Sequence, residues 1–587
     1  MINPSKERYS YSDLLKPPSG YKVDFAVGTT YSLDLEALIG VPIALCLSEE
    51  MEDTFIQNPI AVIEGIRRAS DSFMVFCEGG QIKVPDNLNH IYSLIEDSVY
   101  EVALPNNKSF HPKMWVVKYT SEKEDLYRLI VLSRNLTFDR SWDMVVSIEG
   151  RAYRKKNKQN KPLKDFMEFL IPYTDNEDKK EKLKELISEV EYVQFETNNK
   201  YYTDFKFHPI GIKNYNKDST EIFNTYHNLM IISPFLSKSI VNELNDLALS
   251  YAPKTLITRK SEIPKLDSSI LDEMDVYALK DIIVDGEESL SEDGESEYKK
   301  QDIHAKFYAR TKYSEHNFYI GSANCSNNAF NGNVEFMINL TYKKRGFRIE
   351  DLLDDLFGKE DKENPFEQIT EMIPQSEEKS DIQNELEKAI KQLCIGKIKA
   401  TVVECEDDYK VIVKTDVLRD DVNYYISPLG RNTCVSMDYI TIIDKLNLID
   451  LGNFYKVKVE KDGEKVERVI KIYTDNIPDD RNSEIFKSII NNELTFLKYI
   501  SFILSDDFLI ETLQQIETKN KNNNVWERCS MDGPILYENM IKSVSRQPEK
   551  IEDINEIIDM IDDNSIVSSE FLDFYNIVLG ASRKVKR

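Results

Sequence analysis

Short apolar, β-branched runs separated by polar stretches predict strands in the first 150 residues. They are "VPIALCL" (41–47), "SFMVFC" (72–77), "KMWVVKY" (113–119), "YRLIVLS" (127–133) and "DMVVSIE" (143–149). Between the first two, "DTFIQNPIAVIEGIRRAS" (53–70) has helical spacing, which gives a β-α-β order and an α/β layer architecture. The order then returns. "HNLMIISPF" (227–235) reads as a strand, 237–252 as a helix opened by Ser237, and "KTLIT" (254–258) and "DVYAL" (275–279) as strands. Three further strands follow at 304–310, 316–322 and 334–340. Helical period over 165–200 predicts a connector between the halves. Beyond about residue 345 come a charged linker or helix, a helix over 380–394, alternating strands from 397 to 475, and a helical tail over 483–580. The expected organisation is α/β with two pseudo-symmetric lobes, 1–195 (including the connector) and 196–345. A module of linker helices and β strands (346–480) and a helical C-terminal region (481–587) complete it.

The two halves also repeat in residues. "HPKMWVVKY" matches "HAKFYARTK", and "IVLSRNLTFDRSWD" matches "YIGSANCSNNAFNGNVE". Ala103 matches Ala278, but His304 stands farther from its alanine than His111 does, because the acidic "DGEESLSEDGESE" (285–297) is inserted there. Each half therefore has His-x-Lys at a strand start, Ser-x-Asn at the end of the next strand, and an acid soon after. These are His111, Lys113, Ser133, Asn135 and Asp143, then His304, Lys306, Ser322, Asn324 and Glu335. Residues i and i+2 of a strand face one side, so each His-Lys pair addresses one surface. Two such halves about a pseudo-twofold axis would bring two histidines and two lysines into one pocket.

That set suits phosphodiester cleavage without a metal or other cofactor. One imidazole would attack phosphorus to give a phosphohistidine. The other would protonate the leaving oxygen and then activate water. Lysines and asparagines would bind the non-bridging oxygens, and Asp143 and Glu335 would hold the imidazoles in the productive tautomer. The remaining histidines, His90, His208, His227 and His316, lack such company and read as structural.

Charge refines the picture. The net charge of −27 argues against a nucleic-acid partner for the chain as a whole. Its distribution softens this, since residues 346–587 carry 32 basic and 49 acidic residues and the first 345 carry 43 and 53. Within the first part, "RAYRKKNKQNK" (151–161) has many bases and no acid. Arg151, Arg154, Lys155, Lys156 and Lys158 are accordingly expected to contact phosphates, together with Ser133 and Ser322. Seven cysteines, odd in number and never in CxxC spacing, predict neither a disulfide framework nor a zinc site. The longest apolar run, 37–47, is too short to cross a bilayer, and the N-terminal residues lack a signal peptide's apolar stretch, so a cytoplasmic location without membrane attachment is expected.

At the paired motifs the sequence resembles the phospholipase D superfamily over roughly residues 20–345, most specifically in "IHAKFY…YIGSANCSNNAF…NVEF". Most members place an aspartate five residues after the lysine; here those positions are Lys118 and Thr311. The departure resembles the tyrosyl-DNA phosphodiesterase branch, and by that resemblance His111 is the nucleophile and His304 the general acid. The resemblance implies a bacterial nuclease or DNA-end-processing enzyme acting on DNA. It also implies a place in restriction or anti-phage defence beside a helicase or other ATPase, while the region from 346 onward is expected to bind a partner or form a homo-oligomer. A phospholipase or phosphatidyltransferase, and a non-catalytic DNA-binding scaffold, are the competing readings. The acidic insertion would compete with DNA for the basic groove.

Overall fold

The computed structural model describes residues 11–46, 59–280, 302–358, 364–372 and 381–504, apart from 87, 139, 140 and 198, with further stretches between 536 and 585. The acidic segment 285–297 lies outside the described residues. The chain divides into two compact units. One comprises residues 1–405, 410–445 and 452–475, and the other 406–409, 446–451 and 476–587.

The first unit is mixed α/β and is built around two large sheets. In spatial order, one sheet contains Val193–Glu196, Val145–Ala152, Leu126–Leu132, Met114–Thr120, Lys22–Thr30, Phe73–Glu78 and Val99–Val102. The other contains Tyr202–Ile210, Glu335–Tyr342, Glu315–Gly321, Phe307–Lys312, Asn228–Ile232, Lys254–Thr258, Asp275–Leu279 and Phe366–Gln368. Strand directions agree as well as order. Lys22–Thr30 runs parallel to Phe73–Glu78 and antiparallel to Met114–Thr120, and Asn228–Ile232 bears the same relation to Lys254–Thr258 and Phe307–Lys312. One continuous apolar cluster takes residues from both sheets, including Phe110, Met114, Phe166, Phe307 and Phe336. Burial of such a cluster is the main term holding the two sheets together.

Two expectations are corrected. "VPIALCL" is not a strand. Its residues 41–46 lie in the helix Leu35–Cys46, and the strand that begins the α/β order is Lys22–Thr30. A wholly apolar run does not reveal its period, and this helix is buried around most of its circumference, at Leu38, Ile39, Val41, Ile43 and Leu45 among others. Lys22–Thr30 has the opposite difficulty, because Asp24, Gly28 and its two threonines break the apolar pattern of a central strand. Gly28 is needed there, as a Cβ would lie 2.6 Å from the Trp115 ring. The second correction concerns the connector, which is two helices, Lys161–Leu170 and Glu177–Val190.

The segment after 345 returns to the first sheet's neighbourhood. Glu464–Lys471, Phe454–Lys461, Asn423–Pro428 and Val435–Ser436 form one sheet with the short strands Leu33–Asp34 and Ile82–Lys83. The helix Asp381–Ile395 brings Lys391 within 2.6 Å of the buried Glu78 carboxylate. In the second unit, the helices Arg481–Ile489, Glu493–Leu504, Pro548–Ile561 and Ser569–Val585 carry the apolar contacts. Phe496 meets Phe571 at 5.0 Å between ring centres, and the Tyr575 hydroxyl donates to the Ile551 carbonyl at 2.8 Å. Among the described residues no helix is long and apolar enough to cross a membrane.

Candidate active site

Each histidine is fixed by the other half of the repeat. Residues 109–111 run beside residues 333–335: His111 N donates to the Val334 carbonyl at 2.9 Å and Val334 N to the Ser109 carbonyl at 2.8 Å. Reciprocally, Asp302–Ile303 pairs parallel with Ser141–Trp142. The amides of His304 and Ala305 both donate to the Trp142 carbonyl, at 3.0 and 2.9 Å. The segment before each acid is thus the backbone template for the opposite histidine. Close approach matters at Gly211, whose φ is +81° and where a Cβ would lie 2.0 Å from the Asn333 carbonyl oxygen.

The two serines place the acids. Ser133 N donates to the Met144 carbonyl at 2.9 Å, its hydroxyl accepts from Met144 N at 2.8 Å, and that hydroxyl donates to Asp143 Oδ1 at 3.2 Å. Ser322 repeats the pattern with Phe336 at 3.1 and 3.0 Å and donates to Glu335 Oε2. Asp143 also accepts from the Ser141 hydroxyl. The serines expected to touch substrate are both buried and serve their carboxylates.

Glu335 reaches across to His111, with Oε2 at 2.8 Å from Nδ1, while Asn333 Nδ2 donates to Oε1 at 3.3 Å. A buried carboxylate in this position accepts, so the imidazole carries its proton on Nδ1 and presents a lone pair at Nε2. Nε2 lies 3.0 Å from Lys113 Nζ. Burial, assisted by Lys113 and Lys306 and opposed by Glu335, pushes the His111 pKa down to about 4, so the ring is neutral at pH 7. The Tyr31 ring packs edge-on against it at 5.0 Å.

Lys113 and Lys306 share one buried environment. Lys113 Nζ donates to the His111 carbonyl at 3.0 Å, and Lys306 Nζ to the His304 carbonyl at 2.6 Å and the Ser133 carbonyl at 3.4 Å. Burial lowers both pKa values: Lys113 falls well below its ordinary value, pushed further by Lys306, and Lys306 falls to about 8. An anion bound between them would reverse that cost by pairing with both. Asn135 and Asn324 end the adjoining strands, each with a buried side-chain oxygen that has no hydrogen-bond partner among the described residues.

The structure therefore brings His111, Lys113, Lys306 and Glu335 together, with His304 and Asp143 directly after the paired Asp302–Ile303 and Ser141–Trp142 segments. It does not bring the basic run there. Met144, bonded to Ser133, marks the His111 end of the Val145–Ala152 strand, and Arg151 lies seven residues on, about 24 Å at the rise of an extended strand. Arg151 pairs with Glu124 at 2.7 Å and Lys156 with Glu191 at 2.8 Å, while Arg154, Lys155 and Lys158 follow in the same far turn. Lys118, where the resembled family has aspartate, pairs with Glu189 at 2.8 Å and Asp24 at 3.1 Å.

Sequence reasoning missed Glu78 and Arg259. Strand register makes them equivalent, two residues beyond Phe76 and Ile257, which flank the paired residues Thr29 and Ile232. Glu78 Oε2 accepts from Phe110 N at 2.6 Å, just before His111. Arg259 Nε and Nη2 donate to the Ile303 carbonyl at 3.2 and 2.9 Å, just before His304. Each stands alone in the sequence, and only the repeat's spatial alignment pairs them. The other histidines have local roles: His316 Nδ1 bonds the Thr311 hydroxyl at 2.8 Å, and His227 Nδ1 accepts from Tyr313 N at 3.2 Å.

No family model and no curated protein matches this sequence. Solved structures do match in part. A yeast tyrosyl-DNA phosphodiesterase mutant aligns with a TM-score of 0.34 and 11% identity over 56% of this chain and 83% of that one. Polyphosphate kinase from Porphyromonas gingivalis gives 0.33 and 13% over 64% and 49%, and phosphatidylserine synthase from Haemophilus influenzae gives 0.33 and 9% over 65% and 88%. The overlaps are partial, and the geometry above stands on this chain's own residues.

Proposed function

We propose that this protein is a phosphodiesterase of the phospholipase D type, with two pseudo-symmetric lobes, that cleaves nucleic acid, DNA foremost, without a metal ion. The observation that carries the reading is the His111–Glu335 contact at 2.8 Å, which frees Nε2 of a neutral imidazole beside two buried lysines.

In the first step Nε2 of His111 attacks phosphorus. The N–P bond forms, the P–O bond to the leaving group breaks, and His304 delivers a proton to the departing oxygen. Glu335 offsets the positive charge that the phosphorylated imidazole acquires, as an orienting carboxylate does for an imidazolium. Lys113 turns from Nε2 to a non-bridging oxygen, which Lys306 also binds. In the second step His304 takes a proton from water, the hydroxide attacks phosphorus, and the N–P bond breaks to release the phosphate product and restore neutral His111.

The test uses single- and double-stranded DNA, RNA, 3′-tyrosyl-DNA and phospholipid, each in EDTA. Cleavage of DNA that His111→Ala abolishes is expected. Activity that survives this substitution or requires a divalent metal overturns the mechanism, and turnover of phospholipid alone overturns the substrate.

A further inference from the structure

Phe235 and Arg259 form a pair on the His304 side of the site, beside the Ile303 carbonyl. Phe235 follows the Asn228–Ile232 strand and remains 44% exposed. Its backbone is held in place: the Ser233 hydroxyl donates to the Phe235 carbonyl at 2.8 Å and accepts from Cys325 N, next to Asn324, at 2.9 Å. The Arg259 guanidinium lies 4.6 Å from the centre of the Phe235 ring while it grips the Ile303 carbonyl. The ring is therefore tied to the segments that carry both Asn324 and His304.

The first half is built differently at the same place. The Thr30 hydroxyl donates to the Ser32 carbonyl at 2.8 Å and accepts from Leu136 N at 2.9 Å, which makes Ser32 the counterpart of Phe235. Glu78 is the counterpart of Arg259. An aromatic ring backed by a cation on the His304 side thus stands where the His111 side has a hydroxymethyl group and a buried carboxylate.

We infer that Phe235, backed by Arg259, is a stacking platform for one unpaired nucleobase on the leaving-group side of the scissile phosphate. The inference rests on the nucleic-acid phosphodiesterase reading above. An exposed phenylalanine stacks on any base face, and an adjacent guanidinium adds attraction to the base and to its phosphate. A base inside a duplex offers no free face, so the platform selects single strands. It also gives the site a polarity: the fragment that departs first carries the stacked base, and the fragment held on His111 does not.

The experiment compares a twelve-nucleotide oligothymidylate with an abasic strand of the same backbone and length, using wild type, Phe235→Ala, Phe235→Trp and Tyr153→Ala. Tyr153 is an exposed ring at the far end of the Val145–Ala152 strand. Wild type is expected to cut the thymidylate about tenfold faster in kcat/KM, Phe235→Ala to lose that preference while it still cuts the abasic strand, and Phe235→Trp and Tyr153→Ala to keep it. A preference retained by Phe235→Ala, or one absent from wild type, overturns the platform. Failure of wild type to cut either strand overturns the nuclease reading itself, so the two failures are told apart.

Discussion

His111 and Glu335 are separated by 224 residues of chain and by 2.8 Å in space. The carboxylate that orients the first histidine belongs to the second half of the repeat, and its neighbour Val334 hydrogen-bonds His111 N. Glu335→Gln would keep the shape but put an amide where two donors, Ser322 and His111, now converge. By analogy with the loss of an orienting carboxylate in other imidazole sites, kcat is expected to fall about 10³- to 10⁴-fold with little change in KM. Steady-state kinetics on a DNA substrate check this, and a loss below tenfold would remove Glu335 from the mechanism.

The pH profile follows from the depressed pKa values of His111, Lys113 and Lys306. His111 must be neutral to attack, and its pKa of about 4 keeps it so through the physiological range, with activity lost only as pH falls through about 4. Lys306 must be charged to bind phosphate, and its pKa of about 8 makes activity fall as pH rises past that point. The plot of kcat/KM against pH, which reports groups of the free enzyme, is therefore expected to have its acid limb near pH 4 and to fall on the basic side by about pH 8, or at lower pH where Lys113 or the proton on His304 is lost first. An acid limb near pH 6.5 would show an unperturbed nucleophile.

Lys391 is the cation that meets Glu78 at 2.6 Å, and Glu78 in turn holds Phe110 N beside His111. Glu78 is almost wholly buried, and its pKa is raised by that burial against the opposing effect of Lys391. Lys391→Ala would strand the carboxylate, at a cost of about 3 kcal/mol. Urea denaturation should show this loss and should show part of it restored in Lys391→Ala/Glu78→Gln; full stability in the single variant would rule the contact unimportant.

Replacing Arg154 and Lys155 together by alanine is expected to change kcat/KM on DNA less than twofold, since they lie beyond Arg151, itself about 24 Å along the strand from Met144. A tenfold loss, steepening at low salt, would restore the basic run as a phosphate track.

The motif strands were legible because each combines β-branched or aromatic residues with sharp polar boundaries, as "KTLIT" and "DVYAL" do. The helix Leu35–Cys46 was not, because a segment buried on every side has no polar face to reveal its period. In the site, the repeat named His111, Lys113, Lys306 and Glu335, which the fold brings together. What it left open was which acid serves which histidine. In-register copies suggest that each half is self-sufficient, whereas the parallel pairing of Asp302–Ile303 with Ser141–Trp142 and of Phe110 with Val334 exchanges the partners. Spacing also placed the basic run too near, since it counts residues and not the direction in which a strand travels.

That exchange bears on how the protein is made. A chain emerging from the ribosome displays His111 and Lys113 early, yet the carboxylate and the backbone edge that set the ring arrive with residues 333–335, more than two hundred residues later. A truncated or half-synthesised product holds a histidine with no defined tautomer and no template. The pairing thus makes completion of the site a late event, one that waits for residues 333–335 to fold against residues 109–111.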